Sequence, residues 1–175
     1  MSNIIIIYST TDGHTRDICA RLAEVVEELG SRVTLVNIDD VNTANLSSFD
    51  KVVVGASIRY GKHNIKVYEF IEKNLQLLDS KPNAFFSVNV VARKPEKNQP
   101  DTNPYFKKFL KEIIWKPKKL AVFAGKIDYP KYNFWDRNMI RMIMWMTKGP
   151  TDPALTIEFT DWKQVEEFGR TICEM

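Results

Sequence analysis

Ser9, Thr10, Thr11, Asp12, Gly13, His14 and Thr15 follow the apolar stretch Ile4, Ile5, Ile6, Ile7, Tyr8 and precede a helical pattern. Backbone N–H groups at a helix start lack internal partners and carry partial positive charge. Hydroxyls just before such a start can therefore hold a phosphate, and Gly13 lets the backbone come close. The run is neither the dinucleotide glycine fingerprint nor the triphosphate loop, and it has no lysine. It suits one dianionic monophosphate, bound by hydrogen bonds rather than by a countercharge. The plain structural alternative is that Ser and Thr cap the helix. Asp12 would repel a phosphate, so it is expected to turn away and cap the helix itself. His14 is placed to donate to the phosphate. His63, after the second loop, is expected at the surface, with a catalytic role as the alternative.

Two further segments sit where strand patterns end. One is Ala56, Ser57, Ile58, Arg59, Tyr60 and Gly61. The other is Ser87, Val88, Asn89, Val90, Val91 and Ala92, which runs into Arg93 and Lys94. Their cations could hold an acidic ligand, with Arg93 and Lys94 first and Arg59 second. No Ser-His-Asp grouping or metal-ligand cluster is present, and no metal is expected.

A fourth segment, 134–148, reads as a short helix. Met139, Ile143 and Met146 line one side, overlapped by Trp135 and Met142, with Trp145 beside them. Arg137, Arg141 and Lys148 recur at basic steps. About 15 residues cannot span a bilayer but can lie in its interface, with Trp at headgroup level and basic groups toward anionic lipid. The bland alternative is a buried core helix.

These segments need a frame. Four successive isoleucines read as a strand buried on both faces. Ile18, Leu22, Val25, Val26 and Leu29 make the next helix, stopped by Gly30. Further strands are expected at 32–38, 50–56, 83–91 and 119–127. Helices are expected at 65–78, 104–115 and 162–173. Residues 39–48, 57–64 and 92–103 read as connections, and 155–159 as a resumption of the sheet. Alternating strands and helices predict an α/β, doubly wound, five-stranded parallel sheet in one domain, 1–175. Residues 128–153 are then an insertion at the fifth strand, facing membrane or substrate. The strand order 2-1-3-4-5 would put a ligand at the C-terminal strand ends.

The chain has 175 residues and a formal net charge of +3, but residues 106–148 hold 11 Lys/Arg against 3 Asp/Glu. Such a patch implies an anionic partner: membrane surface, nucleic acid or an acidic small molecule. No zinc spacing, helix-turn-helix signal or aromatic RNA motif supports nucleic acid. Cys19 and Cys173 show no metal spacing, so a reducing compartment without a disulfide is expected. No signal peptide is read before the first strand, and no run of about 18 apolar residues would cross a membrane.

Ile6, Ile7, Tyr8, Thr10, Gly13 and Thr15 resemble the phosphate signature of the flavodoxin family; Asp12 departs from it, since many members carry a hydroxyl there. The resemblance implies FMN, with its phosphate in the first loop and its ring between the second and third. Ile58 and Tyr60 would cover the ring. A plain core aromatic is the alternative for Tyr60. Flavodoxins that carry electrons are acidic around the ring, whereas Arg93 and Lys94 would stabilise reduced anionic flavin. Ser9-Thr10-x-Asp12-Gly13-x-Thr15, residues 55–61, residues 87–97 and the 129–148 insertion are together similar to the bacterial quinone-dependent protoporphyrinogen IX dehydrogenase family. That resemblance covers nearly the whole chain. It implies a peripheral enzyme on the cytoplasmic face of the inner membrane. The enzyme would take six electrons from protoporphyrinogen IX and pass them to menaquinone or ubiquinone in haem synthesis. An FMN-containing NAD(P)H:quinone reductase and a soluble flavodoxin-type electron carrier are the other readings of these residues.

Overall fold

The computed structural model describes residues 1–175, the side chain of Thr43 excepted. Five strands form the parallel sheet: β1 (Asn3–Ser9), β2 (Arg32–Asn37), β3 (Lys51–Arg59), β5 (Asn83–Asn89) and β6 (Lys119–Ala124). Their order is β2-β1-β3-β5-β6, which is the expected 2-1-3-4-5. The order reverses direction between β1 and β3, and this opens a crevice at the strand ends. The two strands are in register from Ile4 opposite Lys51 to Ser9 opposite Ala56.

Side-chain alternation splits the core in two. Ile5 and Ile7 join Val52, Val54 and Phe85 on one face, under α2 (Ile65–Lys73), α3 (Leu75–Ser80) and α4 (Pro104–Glu112). Ile4 and Ile6 join Val53, Ala84 and Phe86 on the other, against α1 (His14–Glu28) and α6 (Trp162–Glu174). All four isoleucines are fully buried, which is why the run carries no polar residue.

Three expectations about the elements change. The expected helix over 65–78 is two helices broken at Asn74, whose side-chain amide donates to the Phe70 carbonyl at 2.9 Å. Residues 57–59 are not loop. They extend β3, which folds back as a hairpin onto β4 (Lys62–His63) through Tyr60 and Gly61, at φ 51° and 78°. Positive φ at both central residues suits the right-handed twist of a hairpin.

The fifth strand breaks at Gly125. Its continuation, β7 (Lys126–Asp128), pairs antiparallel with β8 (Thr156–Glu158) as a separate ribbon, so 155–159 does not resume the main sheet. Between the ribbon's arms lies α5 (Phe134–Met146), capped by Asn133, whose Oδ1 accepts from the Asp136 N–H at 2.9 Å. Ile127, Tyr129, Tyr132 and Met144 form a third, smaller buried cluster beneath it. This cluster is separate from the two main cores, with Phe159 packed against both it and the first of them.

Candidate functional site

A cavity opens at the C-terminal ends of β1, β3 and β5. Its first wall is Thr10, Thr11, Asp12, His14 and Thr15. Its second is residues 57–61, and its third is residues 88–91. The ribbon and Ile140, Ile143 and Met144 of α5 cover it. The three segments that the sequence singled out thus meet around one space. Ser9, Ala56, Ser87 and Ala92, expected at the site, are buried and do not line the cavity. Gly13 also stays off the wall.

The first loop is built for an anion. Gly13 adopts φ 89° and donates its N–H to the Thr10 Oγ1 at 2.9 Å. A side chain at that φ is strained even though space around it is open. No side chain caps α1. The capping alternative for Ser and Thr therefore fails, and so does the capping role expected of Asp12. Asp12 instead pairs with the Arg59 guanidinium from the hairpin. Burial pushes the Asp12 carboxyl above its ordinary range, and Arg59 opposes that shift.

Thr15 is 1% exposed, and its Oγ1 is buried without a hydrogen-bond partner. Buried hydroxyls are nearly always satisfied, so this one points to an acceptor supplied from outside the chain. His14 does not offer its Nε2 to the loop. It bonds the Thr160 Oγ1 at 2.6 Å, and that hydroxyl itself donates to the Ala124 carbonyl at 2.8 Å. Nε2 therefore carries the proton. Burial lowers the His14 pKa, which keeps the ring neutral.

Tyr60 is 53% exposed, so the plain core reading of this ring is excluded; it stands at the cavity mouth with Ile58. Arg59 lies 5.2 Å over the Tyr132 ring and so ties hairpin, phosphate loop and insertion together.

The third loop is held from below. Asn89 Oδ1 accepts from the Ala92 N–H at 3.1 Å and from Asn103 Nδ2 at 3.0 Å, and Asn103 caps α4. His63 is not at the surface. It packs against Phe85 and Phe109, contacts the Ser87 hydroxyl at 3.0 Å, and burial drops its pKa to about 3. Ser87 and His63 therefore form a neutral buried layer under the site.

Arg93 and Lys94 were the first cations expected at the site, and neither lines the cavity. The Arg93 guanidinium donates to the Val90 carbonyl and to both the carbonyl and Oγ1 of Thr147, each at 3.1 Å. It staples the third loop to the C-terminal end of α5. Three donors spent on fixed carbonyl and hydroxyl oxygens leave little for a ligand. The basic stripe of α5 is similarly engaged: Arg141 Nε donates to the Thr151 carbonyl at 2.8 Å and Arg137 to the Tyr132 carbonyl at 3.3 Å. Ile143 faces the cavity rather than the outer apolar side. Trp135, Met139, Met142, Trp145 and Met146 are exposed, from 45% at Met139 to 80% at Trp135. So α5 is no core helix.

Sequence reasoning did not name Asp17, Tyr105, Lys126, Ile140 or Met144 as wall residues, and it placed Asp128, Lys131 and Tyr132 only within the segment expected to face membrane or substrate. The polarity of the ribbon was visible. Its folding over the strand ends was not.

The flavodoxin domain family matches residues 5–154. Solved structures agree at the level of fold. An archaeal flavodoxin aligns with a TM-score of 0.57 at 15% identity, covering 98% of this chain and 96% of that one. Two-electron reduced Megasphaera elsdenii flavodoxin aligns with a TM-score of 0.59 at 14% identity, covering 98% and 99%. The chain belongs to the flavodoxin domain family, whose cofactor is FMN. At higher identity, 44% over 98% of this chain and 94% of the other, it is similar to the Escherichia coli protein named protoporphyrinogen IX dehydrogenase (quinone). A Leishmania major protein of the same name is 43% identical over 94% of this chain and 71% of its own length. The residues present fit FMN: the orphaned Thr15 hydroxyl, the uncapped α1 and the left-handed Gly13 make a phosphate cradle, and Ile58 and Tyr60 flank the adjoining crevice.

Proposed function

We propose that this chain oxidises protoporphyrinogen IX to protoporphyrin IX with FMN as resident cofactor and menaquinone or ubiquinone as electron acceptor. The carrying observation is the 44% identity that runs across 98% of the chain, insertion included, to a protein of that name. Bound FMN supplies a two-electron acceptor able to take a hydride from carbon and release the electrons to a quinone.

The chain's own residues bind, orient and shield. Thr10, Thr11 and Thr15 would offer hydroxyls to the phosphate, and Ile58 and Tyr60 would flank the ring. Ile140, Ile143 and Met144 make the α5 side of the cavity apolar, which suits a tetrapyrrole and a quinone and excludes water beside the reacting carbon. Lys131 and Arg59 also line the cavity, and to meet the propionates each would have to leave its partner, Asp128 or Asp12. The substrate's pyrrole protons leave to solvent through the open mouth, and no protein acid or base is required.

Anaerobic mixing of the FMN-loaded chain with protoporphyrinogen IX is expected to bleach the flavin absorbance, and added quinone to restore it. Bleaching by NAD(P)H but not by the porphyrinogen would replace this reading with that of a quinone reductase.

The reading includes a peripheral position on the cytoplasmic face of the inner membrane. It is supported by the exposed Trp135, Met139, Met142 and Trp145 along one side of α5, with exposed Lys131 and Lys148 flanking the helix. No helix among the described residues is long and apolar enough to cross a membrane. Trp135→Asp with Met142→Asp and Trp145→Asp is expected to keep the fold and bound FMN. It should cut co-sedimentation with vesicles containing anionic lipid at least tenfold. Unchanged sedimentation would remove the lipid role of this face.

A further inference from the structure

Among the described residues, the first loop and its charged neighbours bring no spare positive charge to a phosphate. Asp12 and Asp17 both line the cavity at that end. His14 adds no charge, since its ring is neutral and its Nε2–H is spent on Thr160. Arg59 is committed to Asp12, and Lys131 to Asp128 at 3.3 Å. Asp17 has the Arg16 guanidinium 3.6 Å away, so both carboxylates are paired, and a dianion seated between Thr10 and Thr15 would find no cation among these groups left over to balance it.

One cation lining the cavity is uncommitted. Lys126 follows Gly125 at the break in the fifth strand, and among the described residues it makes no ion pair within 4 Å and no hydrogen bond through its side chain. Its cross-strand neighbour, Glu158, turns Oε1 to the Trp162 indole N–H at 2.6 Å instead. The backbone beside Lys126 is fixed. Gly125 N–H donates to the Asn89 carbonyl at 3.2 Å, and the Gly125 carbonyl accepts from Phe159 at 3.0 Å. Lys126 also lies close enough to His14 for its charge to act on that imidazole. The orphaned hydroxyl of Thr15 independently marks the same end of the cavity as a ligand position.

We propose that Lys126, reaching in from the ribbon, supplies the countercharge for the FMN phosphate. This rests on the FMN reading. It revises the expectation, drawn from a lysine-free first loop, that the phosphate is held without a cation. The lysine comes from the far side of the sheet, more than 110 residues along the chain.

The test is titration of the flavin-stripped full chain with FMN and with riboflavin, which lacks the phosphate, at graded salt. Lys126→Met is expected to weaken FMN binding about 10- to 100-fold, the range of a charge-assisted hydrogen bond. Riboflavin affinity should stay within about threefold, which also certifies that the variant is folded. Lys126→Arg should restore most of the FMN affinity, and the salt dependence of FMN binding should flatten in the Met variant. Equal losses for both flavins, or no loss for either, would overturn the assignment. If the wild-type chain binds neither flavin, the FMN reading itself falls, and that result is separate from any effect of the variant.

Discussion

Excision of residues 133–148, with Tyr132 joined to Gly149 by a short Gly-Ser linker, is expected to lower porphyrinogen turnover at least a hundredfold while FMN stays bound. The physical reason is the division of labour in the fold. The phosphate cradle and the ring-flanking segments belong to β1, β3 and β5, whose packing involves neither main-core contribution from α5. By contrast Ile140, Ile143 and Met144 wall the space where a substrate must lie. Losing that wall admits water and frees the substrate to misalign, and positioning of this kind is worth orders of magnitude in rate. Stability should drop as well, because Met144 and the Ile140 packed on it leave the third buried cluster and Arg93 loses both Thr147 acceptors, although neither main core is touched. Flavin spectra, thermal unfolding and turnover on one preparation check the three parts. Turnover within threefold of wild type would show that the insertion is dispensable to catalysis.

Gly55→Ala is the second large effect. Gly55 lies opposite Phe86 in the β3–β5 register, and an added Cβ would stand 2.1 Å from the Phe86 ring tip. The ring cannot swing away, because it is fully buried and packs against Phe123 and Phe168. Either β3 or the ring must shift. Overpacking of this kind typically costs about 1–3 kcal/mol. For a chain of this size that corresponds to a fall of about 2–12 °C in Tm. Because β3 runs on through Ser57, Ile58 and Arg59 into the site wall, FMN affinity should fall with it. Adding Phe86→Leu makes room and should recover part of the Tm. Thermal unfolding of the single and double variants decides; a single variant as stable as wild type would contradict the packing described.

Much of the frame could be read from local pattern. The isoleucine run, the helical spacing that ends at Gly30 and the turn residues after each strand are short-range signals, each enforced within one element. The strand order and the meeting of the three loops follow from them through the handedness of parallel crossovers. Arg93 shows where such reading stops. Its position after β5 predicted a cation beside the ligand. Its direction was set by Thr147, 54 residues later, whose carbonyl and hydroxyl capture it. His63 was misplaced for the same reason, since its burial depends on Phe85 and Phe109 from other elements.

By itself, then, the sequence determined the parallel sheet, the phosphate loop at its first turn and the presence of a short amphipathic helix late in the chain. These depend on periodicity and on conformations that single residues permit. Which cations face the cavity, which face of α5 turns inward, and that Lys126 stands free at the cofactor's end were decided only in three dimensions. Charge pairing and burial act between segments distant in the chain, and nothing in the local pattern encodes which partner a flexible Arg or Lys will find.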